Sequence, residues 1–399
     1  MNFVIKYIRS GWLAVLIGIV TTSCTQDSAD TVSVDEEKML SIGFNVPTRN
    51  VYPYPTESGV NYENYIDWRE GRYKIYFFDT DNKFIAPFKP NKIESRSGNE
   101  DYSVTYEAVG EIPRALVKDG KLEDFKIVVL ANWPQTAYPK DEDLIVGETS
   151  IDNICNASTA TFDCLTNFQL SETRVIPFYG VEEYTDVKFI PGLITALEKE
   201  VKLLRAMAKV EVMLDSSMPD NVQDKWKDLA FSDVKIHRYN AEGYCAPSGV
   251  YDGLNYPDEQ ESPELHLVNG ANDSNDKSLS FYYKESENKW VAYLPEYNNQ
   301  GENDYSYIEV KFNYQLTDDQ DTYKIYFAEY KDATTPTRSN INLIRNNIYR
   351  FTVQKDGFKL LLTVSDWEAL YENNFEYGDR QFTTPVAPWD DEINNEVEF

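Results

Sequence analysis

The sequence predicts an all-β protein arranged as two antiparallel β-sandwich domains in tandem. Three observations point there. Short apolar runs recur along the chain, and several alternate apolar with polar residues at period two, as a strand with one buried face does. Turn residues separate these runs, where a parallel sheet would need helix-length amphipathic crossovers. The chain also holds 29 Tyr and 20 Phe, side chains that suit a pleated, half-buried surface. At 399 residues it is long enough for two domains.

The N-terminus reads as an export signal. Lys6 and Arg9 precede an apolar run from Gly11 to Val20 that is too short to cross a bilayer, and the small residues Thr21, Thr22 and Ser23 lead to a cysteine. Residues 1–23 are the expected signal peptide and Cys24 the candidate lipidation site. An ordinary cleaved signal with an incidental cysteine is the alternative. The following stretch is acidic, with Asp27, Asp30, Asp35, Glu36 and Glu37. It resembles the tether that follows the lipidated cysteine in surface lipoproteins of Bacteroidetes.

Loss of residues 1–23 removes two cations and no acid, and moves the formal charge from −29 to about −31. Nucleic acid and anionic membrane surfaces are therefore poor partners. The remaining cysteines are Cys155, Cys164 and Cys245. Cys155 and Cys164 are close enough in sequence to close a small disulfide loop in an oxidising compartment. Three buried free thiols are the equal alternative.

The first element is Met39 to Val46, where Leu40, Ile42, Phe44 and Val46 alternate with Met39, Ser41, Gly43 and Asn45. It stops at Pro47, and Arg49 and Asn50 lead into a Pro-containing exposed loop. Strands follow at Tyr73 to Phe78, Tyr102 to Ala108 and Phe125 to Ala131. The stretch Leu193 to Arg205 is read as carrying a helical turn, and a strand from about Ala206 to Leu214 opens the second domain. The same grammar returns at Phe231 to Tyr239, Trp290 to Leu294, Tyr307 to Leu316, Tyr323 to Glu329, Asn347 to Gln354 and Lys359 to Val364. Residues 50–204 and 205–367 are thus the two expected sandwiches. The acidic segment 368–399, broken by Pro385 and Pro388, reads as a tail outside them, with Ile393, Val397 and Phe399 at same-face spacing.

Catalytic signatures are lacking. His237 and His266 are the only histidines and neither has a metal-ligand spacing. No Gly-rich phosphate loop follows a strand, and no G-x-S-x-G elbow occurs. Asn272 to Asp276 and Asp318 to Asp321 cluster oxygen ligands, but without EF-hand spacing, and read as solvated turns. The expectation is a non-enzyme with no cofactor and no metal.

Five phrases carry a resemblance. They are Phe125 to Asn132, Arg205 to Val212, Tyr293 to Tyr297, Arg345 to Tyr349 and Thr363 to Trp367. In this order, behind a lipoprotein signal, the chain resembles the fimbrillin superfamily of Bacteroidales, the subunits of type V pili. The resemblance implies two transthyretin-like sandwiches, export to the outer membrane through lipid on Cys24, and assembly with other fimbrial subunits by donor-strand exchange at the cell surface. It implies that Leu40, Ile42, Phe44 and Val46 form a removable first strand. Cleavage falls at Arg49 and Asn50, and Ile393, Val397 and Phe399 supply the donor strand to a neighbour. A host or bacterial surface receptor would be a further partner. An uncut chain would remain a fimbrial anchor subunit. The competing reading is a glycan-binding surface lipoprotein, with Trp68, Trp133, Trp226, Trp290 and Trp389 as candidate sugar platforms.

Overall fold

The computed structural model describes residues 39–46, 62–96, 104–118, 121–164, 170–188, 193–214, 230–248, 265–268, 278–299, 306–313, 320–330, 338–353, 359–366, 380–385 and 387–388. All of them lie within one compact unit, Glu37–Phe399. The fold is all-β, as expected. Four main sheets form two face-to-face pairs, one from residues 39–205 and one from residues 208–388.

In the first pair, one sheet has the order Ile194–Lys202, Met39–Val46, Val104–Glu111, Pro90–Arg96. The other runs Leu204–Arg205, Phe178–Tyr184, Phe125–Ala131, Tyr73–Phe78, Phe84–Pro87. Phe125–Ala131 is buried along its whole length; all its side chains are apolar, as a strand covered on both faces requires, except Lys126, whose Nζ donates to Asn82 Oδ1 at 2.8 Å. The two sheets meet closely at Gly180. A Cβ placed there would lie 2.6 Å from the Lys202 carbonyl oxygen, so only glycine fits this contact.

In the second pair, the larger sheet has the order Tyr282–Lys284, Lys289–Leu294, Ala208–Leu214, Asn347–Val353, Lys359–Asp366, Arg380–Pro385. The smaller one runs Ser278–Ser280, Ala230–His237, Tyr307–Asn313, Gln320–Tyr326, Ala387–Pro388. Buried side chains of both pairs join in one continuous cluster. Ala206, Met207 and Ala208 fill the junction between the pairs and are each buried.

Three expectations are corrected. The sheets are not wholly antiparallel: Met39–Val46 pairs parallel with Ile194–Lys202, and Ala208–Leu214 pairs parallel with Asn347–Val353. In each sandwich the opening strand inserts between one parallel and one antiparallel neighbour, a long-range choice that short-range spacing does not carry. Leu193 to Arg205 carries no helical turn; Ile194–Lys202 is an edge strand. Its alternating charges suit an exposed sheet edge. The C-terminal segment is not wholly outside the sandwich, because Arg380–Pro385 pairs antiparallel with Lys359–Asp366.

Phe178–Tyr184 is a central strand that the sequence reading missed. Its two glutamates hid it. Glu182 is buried and receives a 3.0 Å hydrogen bond from Lys199 Nζ on the facing sheet, while Glu183 lies 3.7 Å from Lys126 Nζ. Paired acids are tolerated in a strand where lone ones are not.

Replacing Gly180 by Ala is expected to cost about 1–3 kcal/mol, the usual penalty for overpacking where backbone rather than a flexible side chain must yield. A lowered urea midpoint with unchanged slope is the predicted readout.

Candidate functional site

The first strand lies in a slot within its own sheet. Along one side it pairs antiparallel from Met39↔Glu111 to Val46↔Val104. Along the other it pairs parallel from Met39↔Ile194 to Asn45↔Lys202, with a bulge between Ser41 and Gly43. Three of its four predicted plug residues, Leu40, Ile42 and Phe44, are each 0% exposed. Val46 ends the strand. Period-two alternation sends these side chains inward, where each contributes about 1.5–3 kcal/mol of burial.

The floor under Phe44 is aromatic. Its ring stacks on Trp68 at 5.6 Å and 24°. Trp68 in turn meets Tyr73 edge-on at 5.4 Å and Tyr106 at 5.1 Å. Trp68 is therefore a wall of the slot and not a surface sugar platform. Trp133 is likewise fully buried, its indole N–H donating to the Tyr138 carbonyl at 2.9 Å. Trp290 is half-buried, 5.2 Å from Tyr283. On the opposite face of the strand Ser41 donates to Glu107, and Gly43 makes room for Glu200, whose Cγ would lie 2.9 Å from an added Cβ.

The wall segment Tyr62–Trp68 is held by polar contacts at each step. Asn132, in the left-handed region at φ 53°, accepts from the Asp67 amide at 2.7 Å. It donates to the carbonyls of Tyr65 at 2.7 Å and Ile176 at 2.8 Å. The Asp67 carboxylate is 1% exposed, 2.6 Å from Arg69 Nη2 and 3.2 Å from Arg72 Nε. The hydrogen bond from Arg69 holds its carboxyl down to about 2 against the opposing effect of burial.

Both strand ends have a defined place. At Val46 the chain leaves beside Val104, with Asn45 opposite Lys202. It re-enters the described structure at Tyr62 and Glu63, where the Glu63 carbonyl accepts from Arg205 Nε at 3.1 Å. Val46 thus lies among first-sandwich strands, whereas Glu63 contacts Arg205 at the junction of the two sandwiches. Met39 lies at the other end, beside Glu111 and Ile194.

A buried ion network closes the junction. Glu211 Oε1 lies 2.9 Å from Lys209 Nζ and 2.6 Å from Lys289 Nζ, and its Oε2 lies 2.8 Å from Arg350 Nε. Burial pushes the Glu211 carboxyl up, but the three cations together hold it well below the usual carboxylate range. Glu296 pairs with Arg345 Nη2 at 3.0 Å. These carboxylates partner cations that include the buried Lys209, Lys289 and Arg345, for which burial without a counter-charge is costly.

The other predicted residues fall as follows. Cys24, Arg49, Asn50, Ile393, Val397 and Phe399 lie outside the described residues, as do Trp226, Trp389 and the cluster Asn272 to Asp276. Of the two alternatives for Cys155 and Cys164, the one without a disulfide between them is found, and Cys245 is likewise outside any disulfide. Cys155 is buried on the short helix Ile151–Cys155, whereas the Cys164 sulfur faces the Tyr293 carbonyl at 3.9 Å in the other sandwich. Burial pushes the Cys155 thiol up to about 12, so it is chemically inert. His237 stacks on Tyr307 at 4.7 Å with Nε2 3.1 Å from Glu309. His266 stacks on Tyr244 at 3.8 Å with Nδ1 2.9 Å from the Ala246 carbonyl. Both are structural. Among the described residues no group of His, Cys, Asp or Glu is placed to hold a metal ion.

No family model matches the chain, and no curated protein matches it. Among solved structures it is similar to the tip fimbrial protein Mfa3 from Porphyromonas gingivalis, at 13% identity and TM-score 0.45, over 82% of this chain and 100% of that one. It is also similar to a fimbrial assembly protein from Parabacteroides distasonis, at 14% identity and TM-score 0.44, over 88% of this chain and 99% of that one.

Asp67 gives the site a pH signature. Its pKa is depressed from 3.8 to about 2 on folding, so its stabilisation is present above about pH 4 and is lost as pH falls through about 2. Urea midpoints taken between pH 6 and pH 2 are expected to fall, and Asp67→Asn is expected to lose part of that fall because it no longer titrates.

Proposed function

We propose that this protein is a fimbrial subunit of the fimbrillin type, exported as a lipoprotein and assembled at the cell surface by exchange of its first strand for a strand from another copy. The observation that carries this reading is the slot. Met39–Val46 is a mid-sheet strand with three fully buried side chains, and residues 47–61 are its covalent link to Tyr62 and the rest of the described fold. A cut at Arg49 and Asn50 would leave it held by two strand pairings and its burial alone. An empty slot would expose apolar side chains and two rows of unpaired backbone groups, and an added strand would restore both.

The direction of the chain supports the same reading. Lys209↔Ile348 lies near the junction and Leu214↔Val353 at the remote pole of the second sandwich. Val353 faces Leu360 and Lys359 faces Pro385, so Arg380–Pro385 runs away from the junction. The last described residues, Ala387 and Pro388, then pair with Lys324 and Tyr323 in the smaller sheet of the second sandwich. In this reading a donor segment with Ile393, Val397 and Phe399 would fill a neighbour's slot, which would make the contact heterologous and open-ended.

The test is the N-terminal residue of the mature protein on expressing cells. Asn50 is the expected result for a polymerising subunit; a lipidated Cys24 would instead mark an anchor subunit or a glycan-binding lipoprotein. Charged replacements of Ile393 and Val397 are expected to abolish fibres and leave the monomer folded. Fibres of normal length from that variant would reject the donor assignment.

A further inference from the structure

The segment Tyr62–Trp68 belongs to neither sheet of the first sandwich, yet it forms part of the slot. One end is Trp68, stacked on Phe44. The other end reaches into the second sandwich. Glu63 Oε1 lies 2.7 Å from Lys209 Nζ and accepts the Tyr293 hydroxyl at 2.5 Å. Lys209 and Tyr293 face each other across neighbouring strands of the second sandwich's larger sheet, so Glu63 is gripped by one rigid surface. Asn64 Oδ1 accepts from Arg205 Nη2 beside it.

Lys209 is 2% exposed and Glu63 15% exposed in their side chains. Charge-assisted bonds in such a place are stronger than exposed ones and hold geometry as well as charge. Lys209 also contacts Glu211 at 2.9 Å, so the second sandwich keeps a compensated lysine if Glu63 loses its charge. The loss would fall on the wall.

We infer that Glu63 is a positioning residue for the strand slot: by tying the Tyr62–Trp68 wall to Lys209 and Tyr293, it keeps the slot shaped for a strand after the chain between Val46 and Tyr62 has been cut. This rests on the strand-exchange reading above. Before the cut, chain continuity and the resident strand both restrain the wall. After it, residue 62 belongs to a new terminal segment, and such segments fray unless side chains tie them down. Asn132 ties residues 65–67 to the first sandwich; Glu63 ties the portion ahead of them to the second.

The experiment uses the full chain with a site-specific protease sequence inserted between Arg49 and Asn50. The protein is cut and offered a labelled synthetic peptide with the sequence of residues 38–47. Wild type is expected to exchange its resident strand for the peptide. Glu63→Gln is expected to release the bound peptide at least tenfold faster, and Lys209→Met to do the same. The double variant should be no worse than either alone. Tyr293→Phe, which deletes one hydroxyl, is expected to show a smaller increase in the same direction and decides the matter if the charge variants fail to fold. Equal release from wild type and Glu63→Gln, or from wild type and Tyr293→Phe where only that variant folds, overturns the positioning role and leaves strand exchange standing. Failure of the cut wild type to take up any peptide overturns both.

Discussion

A strand in the middle of a sheet must be paired on both sides, and the first sandwich is built around that constraint. Met39–Val46 separates Val104–Glu111 from Ile194–Lys202, so without it the second of these loses its only sheet neighbour among the described residues. The same strand supplies Leu40, Ile42 and Phe44 to the core. Backbone pairing and apolar burial therefore stand or fall together at one eight-residue element. The fold contains both the demand for a strand and a strand that can satisfy it.

The junction answers a different problem. Large charged side chains are buried there, among them Arg205, Lys209, Glu211 and Arg345, and such groups are costly unless partnered. The phrases that carried the sequence resemblance end at this place. Asn132 closes the Phe125–Ala131 strand and binds the wall segment. Arg205 contacts Glu63 and Asn64, Glu296 pairs with Arg345, and Asn346 adopts φ 60° where the chain turns into Asn347–Val353. Arg205 satisfies polar groups of both sandwiches, whereas Asn132 does so within the first and the Glu296–Arg345 pair within the second.

Much of the strand pattern was legible. Tyr73–Phe78 and Phe125–Ala131 match their expected bounds residue for residue, because each is a compact apolar run bounded by turn residues. The inward set Leu40, Ile42 and Phe44 was legible for the same reason, since alternation alone decides which face is buried. Phe178–Tyr184 was not, because Glu182 and Glu183 look like surface residues until Lys199 and Lys126 are brought to them from distant positions. Trp68 carried no sign that it would lie under Phe44 rather than face solvent, since an isolated tryptophan in a polar stretch serves either role. Glu63 was equally silent.

Sequence by itself determined many of the strand segments, which of their faces turn inward, and the acidic character of the chain. These properties depend on neighbouring residues and on composition, and so survive without knowledge of the fold. Tertiary structure decided the parallel pairing of Met39–Val46 with Ile194–Lys202, the different surroundings of Cys155 and Cys164, and the grip of Lys209 and Tyr293 on Glu63. Each of these joins residues far apart in the chain or sets the direction in which a nearby side chain points. Their energies arise only when packing brings the partners together and excludes water.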